Sequence, residues 1–269
     1  VALIVQAIQA CIWEANFSKE QIAGVGVGIP GPVDSKRGVV KFLPNYGWEE
    51  IPLKEMLKQK INHPVFIDNS SNNLAIAEYW YGSGKGKDNF LVVTLENGVG
   101  AGMVVNGQLV RGHSGIASEF GHMCAEIGGP VCRCGRHGCI EAFSGNYAIV
   151  SNARSFMRKG IWSSSNKSPA ELSFEDVLVE LRHGNEELEN IYRKAGIILG
   201  VGIYNLMTLL NPELVIITGK GVGAGAPLFD HMCHRIDQLK RGKFGFDQTE
   251  IVIKSWTGDD WARESGSLV

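Results

Sequence analysis

The sequence predicts a two-lobed α/β protein with a ligand cleft between its lobes, and three observations carry that expectation. Short apolar runs of strand character alternate with amphipathic helical stretches along the chain. These runs fall into two groups, split at the small, polar, basic segment GSGKGKD (residues 82–88), which reads as a hinge. The 269 residues are also long enough for two domains. We expect an N-terminal α/β lobe over 1–88 and a C-terminal lobe over 89–269, whose last helix can return to the first lobe.

Taken in order, residues 1–16 place Val1, Ile4, Val5, Ile8, Cys11 and Ile12 on one helical stripe, the signature of a helix packed on a sheet. Gln6, Gln9 and Glu14 interrupt the apolar run and no basic residue precedes it, so it reads as a helix and not as a secretory signal. IAGVGVGIPGPVD contains a Gly-interrupted strand (22–29) that enters the turn Pro30-Gly31-Pro32; glycines in a strand mark close approach by a helix or a ligand. A loop through GVVKFLPNYGW leads to a helix near Pro52–Ile61, ended by His63-Pro64. VFID is a second buried strand, and DNSS should cap a helix reaching about Tyr81. Beyond the hinge, FLVVTLENGVGAGMVVNGQLVRG reads as strand, Gly turn, strand, Asn-Gly hairpin turn, strand. Helices with a Ser-rich break near 163–168 run to about residue 210. LVII (214–217) is a buried strand opening into a Gly-rich loop and a helix. EIVIKSW is the last strand and WARESGSLV starts a final helix. The first lobe thus has only two evident strands, a poor sheet by itself, which leads us to expect that the chain is part of a longer one.

Composition excludes several classes. A net charge of −2 and a pI near 6.4 leave no electrostatic footprint for nucleic acid or an anionic membrane surface. No apolar run reaches the roughly 18 to 20 residues that span a bilayer. Cysteines grouped at metal-binding spacing, without a secretory signal, point to the reducing cytoplasm.

That grouping is the most specific stretch of the sequence. EFGHMCAEIGGPVCRCGRHGCIE (119–141) holds four of the six cysteines, and His122, Cys132, Cys134 and Cys139 form a His-Cys-Cys-Cys set with glycines between them. Thiolate and imidazole are the ligands of a closed, tetrahedral, structural zinc site. Cys11 and Cys124 read as apolar fillers. Cys233, beside His231 and His234 in DHMCHRI, reads as one face of a helix and not as a second metal site.

GVGVGIPGPVD, PNYGW, Asp68-Asn69, VTLENGVGAG, EFGHM, CRCGRHGCIE and LNPELVIITG occur in an order that resembles the ROK family of repressors and sugar kinases, and they cover nearly the whole chain from residue 22. The resemblance implies the actin-like ATPase (ribonuclease H-like) fold. It implies that His122 binds zinc through one ring nitrogen and aims the other, as N–H, at a sugar hydroxyl. It implies that Glu119 and Glu141 accept hydrogen bonds from neighbouring sugar hydroxyls, that Asn69 contacts the sugar from the opposite lobe, and that Gly31 lets the ring approach.

Three parts that a kinase of this family needs depart from its pattern. No Asp-x-Gly-x-Thr phosphate hairpin stands among these residues. Ser70 occupies the position expected for the catalytic aspartate, and a serine hydroxyl is too weak a base for that role. The Gly-Thr-Gly phosphate turn reads Glu96-Asn97-Gly98, with a carboxylate where an anion should sit. The resulting expectation is a sugar-sensing domain of a ROK-type transcriptional regulator that binds a sugar or amino sugar without phosphorylating it. Zinc would be structural and ATP would not be used. DNA would be contacted only through a helix-turn-helix outside the chain, and the protein would be a homo-dimer or tetramer. The alternative is an ATP-dependent sugar kinase of glucokinase or N-acetylhexosamine kinase type, with Asp68 as its base.

Overall fold

The structure, a computed structural model, describes residues 1–43, 46–163, 167–241 and 248–269. Pro44 and Asn45 of the PNYGW motif, and 164–166 of the Ser-rich break, lie outside the described residues. Two compact units emerge: unit 1 is Val1–Lys87, Gly102–Ser118 and Gly258–Val269, and unit 2 is Asp88–Ala101 and Glu119–Thr257. The sequence reading assigned 102–118 to the second lobe; these residues pack with unit 1 instead. Linear order does not reveal that a strand can leave one unit and enter the other.

In unit 1, helix α1 (Ala2–Ala15) opens the chain. Of the expected stripe, Val5 is buried, Val1, Ile4 and Ile8 lie partly buried against the core, and Cys11 is exposed. Strand β1 (Val25–Ile29) pairs in parallel with β5 (Val65–Asn69), with Gly28 opposite Asp68 and Ile29 opposite Asn69. Between them lies a part that sequence reasoning missed. β2 (Val33–Asp34), β3 (Val39–Leu43) and β4 (Trp48–Ile51) form an antiparallel three-stranded sheet, in place of the expected loop. Strands this short leave little periodicity to read, and their burial comes from packing: Val33, Val40 and Leu43 join Leu53 and Leu57 of α2 (Leu53–Lys58) in the unit 1 core.

Helix α3 (Ser70–Tyr81) follows β5 at once, capped by Asn69, whose side chain accepts from Ser71 N and Asn72 N. The final helix, α9 (Asp260–Gly266), packs on β1 and α3. The glycines of β1 make room for it, since a Cβ on Gly26 would lie 1.8 Å from the Ser265 carbonyl oxygen. The glycine signal therefore marks approach by a helix.

Unit 2 is built on fully buried strands, β6 (Phe90–Leu95) and β9 (Leu214–Thr218), paired in parallel, with β10 (Glu250–Ile253) parallel on the far side of β9. Continuous apolar runs of this kind are what strands covered on both faces require. Next to β6 in the sheet order comes β7 (Val99–Val105), whose first residues belong to unit 2 and whose last, from Gly102, belong to unit 1. There it turns through Asn106-Gly107 into β8 (Gln108–Leu109).

The helical side of unit 2 comprises α4 (Glu141–Ser144), α5 (Asn146–Arg158), α6 (Phe174–Arg182), α7 (Glu186–Leu210) and α8 (Ala226–Lys240). Asn185 caps α7, Glu186, Glu187 and Glu189 complement its N-terminal dipole, and left-handed Asn211 followed by Pro212 ends it. Gly196 and Gly200 let α8 approach closely: a Cβ on Gly196 would meet Leu228 O at 2.3 Å. On the other face of α7, two residues after Gly200, Gly202 clears space for Phe120 and Ile140, so α7 also backs the cysteine loop. No helix among the described residues is long and apolar enough to cross a membrane.

Candidate functional site

The cysteine loop folds back through an antiparallel bridge between Cys124 and Cys139 and a second between Val131 and His137. Left-handed Gly135 and Gly138 allow the reversals; a Cβ on Gly138 would strike the Glu126 carbonyl oxygen at 1.8 Å. This brings the ligand atoms of His122, Cys132, Cys134 and Cys139 within 4.8 Å of one another. A tetrahedral zinc, with Zn–S of about 2.3 Å and Zn–N of about 2.0 Å, requires S···S edges of about 3.8 Å and S···N edges of about 3.5 Å. Cys134 Sγ and Cys139 Sγ stand 3.7 Å apart, and Cys132 Sγ is 3.6 Å from His122 Nδ1. The donor set and its spacing therefore fit zinc. Cys132 and Cys139 are buried, as a closed structural site needs, and Cys124 is exposed, which corrects the reading of it as a core filler. Cys233 lies on α8, and His234 of the same helix meets Gln238; neither joins a metal-binding group among the described residues.

The thiols are not equivalent. Burial opposes ionisation of Cys134, but hydrogen bonds from the Arg136 backbone and side chain, and then from Cys132 and Cys139, together outweigh it and bring the thiol down to about 6. Burial, then the hydrogen bond with Cys134, pushes Cys139 up to about 12. Cys132 is raised as well, by burial first.

Since Nδ1 of His122 faces the sulfurs, Nε2 is its outward nitrogen, and it lies 3.9 Å from Glu119 Oε2. A metal on Nδ1 would make Nε2 the N–H, setting a donor beside a carboxylate acceptor. Desolvation raises the Glu119 carboxyl, His122 draws it back, and the Glu141 charge adds to the rise. These two residues are the part of the predicted site that stays partly open, with side-chain exposures of 22% and 39%.

Glu141 differs. Its side chain is only 3% exposed, and its carboxylate is already engaged. Oε1 accepts from Arg133 Nε at 2.8 Å, and Oε2 accepts from Arg133 Nη2 at 3.2 Å and from Val99 N at 3.0 Å. Arg133 also lies over the Tyr147 ring, whose hydroxyl reaches Cys132 Sγ at 3.8 Å. Sequence reasoning missed Arg133 and Tyr147, because nothing in CRCGRHGC distinguishes an arginine that turns inward from one that is solvated. Gly98 is the counterpart in the β6–β7 turn; a Cβ there would lie 2.3 Å from both Arg133 Nη2 and Glu141 Oε2.

On unit 1, Gly31 and Asn69 are brought together: Asn69 Nδ2 donates to the Gly31 carbonyl at 2.9 Å. Asp68 is buried, with its Oδ1 accepting from Asn69 N (2.7 Å) and Asn72 Nδ2 (2.9 Å) and its Oδ2 from Arg111 Nε (2.8 Å). Arg111 is another residue that sequence reasoning did not single out. Ser70, at the position expected for a base, is the first residue of α3. In the turn after β6, Glu96 Oε1 accepts from Lys220 N at 2.8 Å, at the start of the Gly-rich loop after β9. Desolvation raises the Glu96 carboxyl, opposed by Lys220.

The profile of the ROK family matches residues 1–262. The chain belongs to the ROK family. Repressors and glucokinases both occur among its relatives. The xylose repressor of Caldicellulosiruptor bescii is 29% identical over 238 residues, which cover 88% of this chain and 60% of the repressor. That of Bacillus subtilis is 32% identical, covering 80% of this chain and 53% of the repressor. The glucokinase of Thermotoga maritima is 32% identical over 241 residues, covering 87% of this chain and 74% of the enzyme. The chain thus spans between about half and three fifths of the length of these repressors. Among solved structures, a ROK glucokinase from Streptomyces griseus in complex with glucose and AMPPNP superposes with a TM-score of 0.85 at 26% identity, covering 100% of this chain and 88% of that one. A ROK transcriptional regulator, a homologue of the E. coli MLC protein, gives 0.84 at 23% identity, covering 99% and 67%. The mixed α/β fold is that of the ROK sugar kinases, as the resemblance to the actin-like ATPase fold predicts.

Proposed function

We propose that this ROK domain senses a sugar and does not phosphorylate it, and that it is the effector-binding part of a transcriptional regulator. The observation that carries this reading is the state of Asp68. The junction 68–72 offers one carboxylate, and Arg111, Asn72 and the Asn69 amide all hold it, while Ser70 stands where a general base would have to be. A base must reach the hydroxyl it deprotonates, and the Asp68 side chain is 1% exposed with a donor already on each oxygen. Glu96 adds support. A polyphosphate at the β6–β7 turn would meet a carboxylate that already occupies the Lys220 amide, so the residues here do not suit ATP.

Recognition would rest on Glu119 as acceptor and His122 Nε2 as donor, with Gly31, Asn69 and Glu141 as further contacts carried by the family resemblance. A pyranose presents fixed hydroxyls that match such a set, and unpaired partners are costly, which is the basis of selectivity. His122, Cys132, Cys134 and Cys139 would hold a structural zinc that orients the imidazole. DNA contacts would be made by a segment outside these residues, in a homo-oligomeric, cytoplasmic protein.

The similarity to glucokinases favours an active kinase as the second reading. Calorimetry on the zinc-loaded protein with D-xylose, D-glucose and N-acetyl-D-glucosamine, alongside a coupled ADP-release assay with the same sugars and ATP, tests both. Binding without ADP release is the expected result. ADP release would establish the kinase, and failure of every sugar to bind would overturn sugar sensing.

A further inference from the structure

We propose that Arg111 is a positioning residue for ligand recognition on unit 1: it clamps the buried Asp68, and through Asp68 it fixes Asn69 and the Gly31 turn. The inference rests on the sugar-binding reading above and adds to it a residue outside the predicted site.

The Asp68 side chain is 1% exposed, and a carboxylate so placed needs a partner for its charge and donors for both oxygens. Oδ1 has two donors, the Asn69 amide and Asn72 Nδ2, and Oδ2 has Arg111 Nε at 2.8 Å. Deleting the guanidinium leaves Oδ2 buried and its charge unpaired. Rotating the carboxylate to find another partner for Oδ2 relieves that cost and disturbs the bonds that Oδ1 accepts. One donor is the backbone of Asn69 itself. The other belongs to Asn72, whose own amide is capped by Asn69 Oδ1 at 3.3 Å.

Asn69 has little slack. Oδ1 serves Ser71 N at 2.8 Å and Asn72 N, and Nδ2 holds the Gly31 carbonyl at 2.9 Å. A side-chain amide carries two N–H groups, so one remains to meet a ligand hydroxyl, in a direction set by the other bonds.

The segment that carries Arg111 is anchored at the other end of the same network. Val110 N bonds Met103 O at 2.8 Å and Ala117 N bonds Arg111 O at 3.2 Å, which brackets the arginine. Gly115, with φ of 80°, sits so close to β2 that a Cβ would lie 2.5 Å from the Val33 carbonyl oxygen. Residues 110–117 therefore touch the segments on both sides of the Asn69–Gly31 bond: β5 through Arg111, and β2, just after the Gly31 turn, through Gly115. An arrangement of this kind holds one N–H in place and does more than fill space.

The test uses Arg111→Met and Arg111→Lys, with dissociation constants measured for D-xylose, D-glucose and N-acetyl-D-glucosamine. Amide hydrogen exchange at residues 69–72 and thermal midpoints accompany them. Arg111→Met is expected to weaken binding about 10- to 100-fold, as displacement of a positioned group does, and to speed exchange at Asn69, Ser71 and Asn72. Exchange in β9 should not change. Arg111→Lys should recover most of the affinity by restoring a charge for Asp68. A folded Arg111→Met protein with a lower midpoint but unchanged affinity would overturn the proposal, as would unchanged exchange at 69–72. If Arg111→Met does not fold, Arg111→Gln, which keeps a neutral donor without the charge, decides by the same two readouts: weaker binding with faster exchange at 69–72 supports the clamp, and wild-type values of either overturn it. A wild-type protein that binds none of the sugars would overturn the sugar reading, and the exchange result would still decide whether Arg111 holds the junction.

Discussion

Arg133 lies along the buried carboxylate of Glu141, with Nε 2.8 Å from Oε1 and Nη2 3.2 Å from Oε2. Arg133 stands between two candidate metal ligands, Cys132 and Cys134, and Glu141 begins α4, so this pair ties the cysteine loop to the helical side of unit 2. Replacing Arg133 with Ala strips two donors from a charge that keeps only the Val99 amide and a neighbouring thiol. We expect a loss of about 1–3 kcal/mol in urea unfolding, because a buried acceptor is left short of partners. Glu141→Gln, which keeps the shape and removes the charge, should cost less.

Metal content should control the loop. The protein should carry one zinc per chain, measured by elemental analysis, and Cys139→Ala should lose it. Sugar affinity should fall along with the metal, because His122 loses the contact that sets its tautomer. Full affinity in a metal-free variant would refute the bracing role.

Glu119→Gln should weaken sugar binding about 10- to 100-fold by calorimetry, the range expected when a charge-assisted hydrogen bond of about 1.5–3 kcal/mol is lost. The residue is partly exposed and begins no long element, so the thermal midpoint should hardly move. A large drop in midpoint with unchanged affinity would remove Glu119 from the site.

The start of α6 makes a pH prediction. Hydrogen bonds from Lys167, then from Ser173, bring Asp176 down to about 2. A folded-state pKa below the unfolded value means that its stabilisation is fully present above about pH 4 and is lost as pH falls toward about 2. Ser173→Ala should cost about 1 kcal/mol at neutral pH. The difference from wild type should shrink in acid, which chemical unfolding at several pH values would reveal.

Close packing along α7 gives a last test. Gly196→Ala would drive a Cβ toward the Leu228 carbonyl, and we expect a loss of about 1–3 kcal/mol as α8 is pushed away. A neutral result would show that the two helices can separate at no cost.

The sequence by itself determined the chemistry that is carried by side-chain type at short range. His122, Cys132, Cys134 and Cys139 could be named as a candidate ligand set because such sets announce themselves by kind and spacing, and the buried strands β6 and β9 because both read as apolar runs. The cap at Asn69 and the left-handed glycines of the loop are equally local, since each depends on the few residues beside it. Tertiary structure decided whatever depends on partners distant in the chain. β2, β3 and β4 are too short to carry a pattern, and their sheet exists because a core covers it. Residues 102–118 join unit 1 because β7 crosses out of unit 2, which no local signal records. Asp68 and Glu141 are carboxylates in the sequence and become engaged ones only when Arg111 and Arg133 fold onto them. A charged side chain is solvated until folding removes the water, and which partner then replaces that water is a property of the packed chain.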